Sequence, residues 1–319
     1  MSDRISSRST DSAWLLWAVI ACTLVAGGCQ DGSGPSLVTS PDPKTGAEGP
    51  PPRPQPPADP AIAFVVDPGP RSGFELRVAN ADGSNLRTIH SSPYLPIQPS
   101  WSPDGGSIAF TINGDIWVID VVLVNGVPTG TNARVLLAQT PGTNLDYAAW
   151  SPLGDEIAFS RVQEDGSCCS TLELVPATGG TPDVVHTGAV LWPTWNPDAT
   201  EIAFVGSGGL IWAVDIATRT AEVLFSPPAY PEALDWGRTG DMLAFSSFTG
   251  NQNTDGVYTL EIATEILTRV ADGRRPTWSP DDAEILFGNP SGKLSKVNLA
   301  TGNVTNLGIK GGAPDWRRF

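Results

Sequence analysis

Six tryptophans constrain this chain more than anything else in it. Trp101, Trp150, Trp195, Trp236, Trp278 and Trp316 follow one another at intervals of 49, 45, 41, 42 and 38 residues. Nine residues after each of the first five stands a phenylalanine: Phe110, Phe159, Phe204, Phe245 and Phe287. The triplets ending on those rings read IAF, IAF, IAF, LAF and ILF. Between Trp and triplet lie WSPDG, WSPLG, WNPDA, WGRTG and WSPDD. Proline and aspartate followed by glycine suit a tight type I turn. Each unit therefore begins with a short strand ending near Trp. It turns there and returns in a strand with Ile and Phe on one face and Ala on the other.

Third strands end at recurring marks: Asp215 to Thr218 (DIAT), Glu261 to Thr264 (EIAT) and Asn298 to Thr301 (NLAT). Fourth strands are expected at 86–90, 134–138, 183–186, 222–225, 265–270 and 303–307. Four strands at a period of about 43 residues match a propeller blade. The ends complement each other. Ile62-Ala63-Phe64 is a second strand lacking its Trp strand, and Ala313-Pro314-Asp315-Trp316 is a Trp strand lacking its second strand. The expected fold is all-β: a six-bladed β-propeller with four antiparallel strands per blade. The carboxy-terminal strand closes it by pairing with the amino-terminal three. A β-helix or a sandwich is the alternative.

The repeat covers residues 61–319, and what precedes it reads as an address. A 16-residue apolar run, AWLLWAVIACTLVAGG, ends at Gly28. That is short for a membrane span and suits a secretory signal. Val25-Ala26-Gly27-Gly28-Cys29 resembles a bacterial lipobox, which implies cleavage after residue 28 and lipidation of Cys29. More than one acyl chain gives stable anchoring. Gln30 in place of Asp favours the outer membrane, by resemblance to enterobacterial sorting. Residues 30–60 hold ten Pro and four Gly without hydrophobic periodicity. Residues 29–60 are thus expected to be a disordered tether reaching up to roughly 90 Å.

WSPDG followed by IAF, repeated along 61–319, resembles the TolB-type, WD-repeat-like propeller. That family includes periplasmic scaffold proteins of the cell envelope and the lid domains of prolyl-oligopeptidase-type enzymes. The domain that precedes the propeller in TolB is not expected here; a lipidated linker is expected in its place. The resemblance specifies fold and implies an envelope address.

Charge and composition exclude several chemistries. Nineteen basic against 34 acidic residues give −15, and no long basic run exists, so nucleic acid is not expected as a partner. The only histidines, His90 and His186, fall on outermost strands of non-neighbouring blades, too far apart for a dyad or a shared metal. No G-x-S-x-G is present for a serine hydrolase. The segment NQNTDG from Asn251 resembles half a calcium loop but has Ile262 at its twelfth position, where a bidentate Glu is required. No metal or cofactor is expected. Cys168 and Cys169 are adjacent in a loop, and either bridge each other, bridge outward or stay as thiols.

In a propeller, the links between first and second strands and between third and fourth lie at one end of the ring. Here these are tight turns, apart from an excursion at 121–132. The other end carries links that vary in length and chemistry. Variable loops on a rigid scaffold are the usual place for binding. Tyr94, Tyr147, Trp192, Tyr230, Glu232, Arg274 and Arg275 fall near its inner rim, and aromatic and arginine side chains are favoured contact types. Trp192, expected on a loop entering blade four, is the one tryptophan left over for a ligand. Trp14 and Trp17 lie in the signal; the other eight read as packing. The reading that follows is a monomeric, non-enzymatic envelope module that binds a protein, peptide or glycan across this face. A glycan lyase or hydrolase using Asp146, Glu232, Asp235 or Asp315, or a passive spacer, are the alternatives.

Overall fold

A computed structural model describes residues 61–69, 73–165, 170–247 and 255–317. The apolar run, Cys29, the tether, Cys168, Cys169 and residues 251–254 of the calcium-like loop lie outside these. The described chain forms six four-stranded antiparallel sheets. In five, the strands follow chain order. In the sixth, Gly312–Trp316 pairs with Ile62–Val66, so the last strand completes the first blade. Ring closure follows from the split unit at the two ends of the repeat, and it leaves no blade with a missing inner strand.

The two hallmarks of the repeat are one register. Trp101, Trp150, Trp195, Trp236, Trp278 and Trp316 pair with Ile108, Ile157, Ile202, Leu243, Ile285 and Ile62. Phe64, Phe110, Phe159, Phe204, Phe245 and Phe287 are each at most 1% exposed. The alternation expected of a half-buried strand is absent from these second strands: Ile108, Ala109 and Phe110 are all fully buried. Blades stack face to face, so both faces of the strand are core, and alanine is what fits on the tighter side.

The turn after Trp is built as its residues imply. Gly105 and Gly154 donate backbone N–H to Ser102 and Ser151 carbonyls at 2.9 Å each. The serine hydroxyls cap the returning strand, as Ser107 N to Ser102 Oγ and Glu284 N to Ser279 Oγ show. The fifth turn residue has positive φ in five blades, at Gly105, Gly154, Ala199, Gly240 and Asp282. In blade five glycine replaces the serine, and Asp282 of blade six reaches across to accept from Arg238 N and Thr239 N.

Two expectations are corrected. The 121–132 excursion is not a loop: strands Asp115–Val124 and Val127–Leu137 run on through it and meet at Asn125-Gly126. A Val- and Thr-rich alternation around Asn-Gly, with both turn residues at positive φ, makes an extended hairpin. Trp192 is likewise not on a loop but inside the inner strand Leu191–Trp195 and only 5% exposed. The histidines sit between blades: His90 packs on Phe110 at 5.6 Å and His186 on Phe204 at 5.1 Å.

Candidate functional site

Every inner strand departs from regular pairing at one place. Pairing slips between Ile97 and Ser100, Asp146 and Ala149, Leu191 and Thr194, Glu232 and Asp235, Arg274 and Thr277, and Gly312 and Asp315. One extra residue on the inner strand makes a β-bulge. The residue three before each Trp takes φ between 45° and 61°: Gln98, Tyr147, Trp192, Ala233, Arg275 and Ala313. None is glycine, although this backbone costs roughly 1–2 kcal/mol for an L-residue. Strain of this kind persists where surrounding structure enforces it and is concentrated at functional sites. Proline follows at Pro99, Pro193, Pro276 and Pro314, removing N–H groups from an inner edge with no strand to receive them.

The residue just before each Trp holds neighbouring blades together. Ser100 Oγ accepts from Trp150 N at 2.9 Å, Thr194 Oγ1 from Trp236 N at 3.3 Å and Thr277 Oγ1 from Trp316 N at 3.2 Å. Asp235 Oδ2 accepts from Trp278 N at 2.8 Å and Asp315 Oδ2 from Trp101 N at 2.7 Å. The sixth position is Ala149, which cannot make this bond; Trp195 instead donates its indole N–H to the Ala149 carbonyl at 3.1 Å. Two of the four carboxylates considered for catalysis thus serve as struts. Burial pushes Asp315 up to about 7, against the pull of the Trp101 N–H.

The six bulge residues line a central cavity of about 130 Å³ that extends toward the tight turns, reaching Pro103, Pro152, Pro197 and Arg238. Around the ring they read Ala313, Gln98, Tyr147, Trp192, Ala233, Arg275. Tyr147 and Trp192 lie with ring centroids 5.1 Å apart. Arg275 stands between two alanines, so its side chain has space on both sides. Its bent backbone is secured by Ser246, whose hydroxyl accepts from Arg275 N at 3.1 Å. The Trp192 indole N–H and Gln98 Oε1 are buried with no protein partner.

The structure brings together six of the seven candidate residues. Tyr147, Trp192 and Arg275 line the cavity, and Tyr230 packs with Tyr147 and Trp192 in one apolar cluster. Glu232 and Arg274 lie one residue farther toward the variable loops. There, burial raises Glu232 and the two arginines counter it. Burial also lowers the Arg274 guanidinium, with Glu232 opposing. Tyr94 stands apart, 56% exposed on the link into blade two. Asp146 lies beside Tyr147, and burial pushes its carboxyl up to about 6. Gln98, Ala233 and Ala313 complete the ring and were missed. Counting back three residues from each Trp would have found them, since Tyr147, Trp192 and Arg275 already share that position. Among the described residues no cluster of three His, Cys, Asp or Glu side chains could hold a metal.

Comparison with known proteins agrees with this architecture. A 222-residue stretch is 22% identical to an uncharacterized Agrobacterium fabrum protein, covering 67% of this chain and 71% of that one. A 49-residue stretch is 51% identical to the Tol-Pal system protein TolB of Azoarcus, 15% of this chain but only 11% of that protein. The solved TolB of Acinetobacter baumannii superposes with a TM-score of 0.67 at 19% identity, covering 82% of this chain and 67% of that chain. A nidogen/laminin complex gives a TM-score of 0.58 at 13% identity, over 77% of this chain and 91% of the other, so the fold by itself does not specify a role. The model of the TolB β-propeller domain matches residues 59–300, and the chain belongs to that family.

Proposed function

We infer that the propeller is a binding module of the bacterial envelope that receives a segment of a protein partner at the mouth of its central channel. The observation that carries this is the asymmetric ring on a shared strained backbone. It sets an aromatic pair, Tyr147 and Trp192, across from Arg275, with unpartnered polar atoms at Trp192 and Gln98. A cavity of about 130 Å³ is smaller than the 300–1,000 Å³ of ordinary small-molecule pockets. It suits one or two inserted side chains better than a run of sugar rings. An entering segment meets Glu232 and Arg274 first and the aromatic pair next. The glycan lyase or hydrolase alternative keeps only Asp146 and Glu232, since Asp235 and Asp315 hold blades together.

The address is part of the same reading. Cys29 would carry the lipid, residues 29–60 would tether a single propeller, and Cys29→Ser should move the protein from membrane to soluble fraction. For the ring, the test is crosslinking in whole cells with Trp192→Ala and Arg275→Ala, against Tyr94→Ala as control. The ring variants, once shown to melt cooperatively, should lose the partner that the parent and Tyr94→Ala retain. An unchanged partner list for the ring variants would overturn the assignment.

A further inference from the structure

One feature of blade two is used neither by the ring nor by the fold. In the other five blades the third strand ends at Ala79, Pro176, Asp215, Glu261 and Asn298 and the chain turns back there. In blade two the equivalent residue is Asp120, paired with Ser107 as Asp215 is with Glu201. The strand continues for Val121–Val124, about 14 Å at about 3.4 Å per residue, before the Asn125-Gly126 turn.

The projection is firmly built. At its base Asp120 accepts from Ser107, Asn132 and Arg134. One face packs on blade one: Val121 is buried, and a Cβ on Gly130 would overlap the Ile89 carbonyl. The other face is open and apolar. Val124 pairs with Val127 and Val122 with Thr129, so the three valines share one side. They are 38–50% exposed. No charged residue occurs between Asp120 and Arg134, in a chain of net charge −15.

Topology says what this face meets. The described chain begins at Ala61, which accepts from Arg317 N beside Trp316. That is the end of the ring where first strands hand over to second strands, and the third-to-fourth hairpins lie at the same end. Ala61 therefore stands at the end of the ring to which the hairpin points, on the neighbouring blade. We propose that the Val122–Val124–Val127 face is a membrane-contact element. It lies on the lipid surface to which the amino-terminal segment is attached, and it turns the variable-loop end of the ring away from the bilayer. The proposal rests on the anchor at Cys29. The contact is apolar, because a chain this acidic gains nothing from anionic headgroups. It is weak alone and becomes effective once a tether holds the hairpin close to the surface.

The test places single reporter cysteines in the Cys22→Ser/Cys168→Ser/Cys169→Ser chain, at Val124 or, as control, at Tyr94. The lipidated protein is reconstituted into phosphatidylcholine vesicles at under one chain per vesicle. It is then treated with a membrane-impermeant maleimide. Val124→Cys should label about tenfold more slowly on vesicles than in the soluble Cys29→Ser chain, while Tyr94→Cys labels alike in both. Equal labelling of Val124→Cys in the two states overturns the proposal. So does protection in native membranes that disappears on vesicles, which would identify a protein as the cover. The anchor is read separately, from the mass of the mature chain. Should that mass lack acyl groups, the same labelling with the chain held on nickel-chelating vesicles by an amino-terminal histidine tag decides the hairpin on its own.

Discussion

The second strands and the inner strands of the six blades make an instructive contrast. At the centre of each second strand a phenylalanine recurs, and the six are equally buried. Three residues before each Trp, the six inner strands share one left-handed backbone, yet carry Gln, Tyr, Trp, Ala, Arg and Ala. In the first layer, packing against the next blade dictates the side chain. In the second, Trp, bulge and strut dictate only the backbone, and the side chain faces a cavity. Uniform residues mark what holds the ring; variable residues on a uniform backbone mark what the ring presents.

The contrast can be broken by substitution, starting in the packed layer. Phe159→Ala should cost about 3–5 kcal/mol in denaturant unfolding, as expected for a fully buried ring. Trp192→Ala also removes buried area, whereas Arg275→Ala should leave stability within about 0.5 kcal/mol while abolishing partner capture. If Arg275→Ala destabilised as much as Phe159→Ala, the division between packing and presentation would fail. Next come the struts. Asp235→Ala leaves the buried Trp278 N–H without its acceptor and should cost about 1–3 kcal/mol, measured the same way.

Asp315 adds a pH dependence. Its folded value is raised from 3.8 to about 7, so between those values the folded state holds a proton that the unfolded state has released. This contribution therefore weakens stability as pH rises from about 4 to 7 and is constant outside that window. Asp315→Asn keeps an oxygen for Trp101 N and should flatten that part of the stability profile. An unchanged slope would mean that the carboxyl is not the titrating strut. The smallest expected effect is a gain. Ala149→Ser supplies the one strut that the ring lacks and should add about 0.5–1 kcal/mol.

Legibility differed between the same two layers. The Trp–turn–IAF register, the six blades and the split closing blade were readable because each repeats and each reflects a local rule of turn or burial. The bulge was only faintly marked: proline follows it in four blades, but glycine, the usual signature of positive φ, is absent from all six positions. From the sequence Trp192 therefore reads as a loop residue, although it lies inside the strand Leu191–Trp195. The roles of Asp235 and Asp315 were equally hidden, because their bonds run to residues 43 and 214 positions away. The hairpin carried its own signal in Asn125-Gly126, but its apolar open face depends on which side blade one covers.

The sequence by itself determined the repeat, its count and its closure, because burial and turn chemistry act within a few residues and recur six times. Only the tertiary structure decided which residues face the channel, which carboxylates tie blades together and which end of the ring the hairpin and the incoming chain share. Those outcomes depend on the neighbouring blade, and neighbours in a closed ring are far apart along the chain.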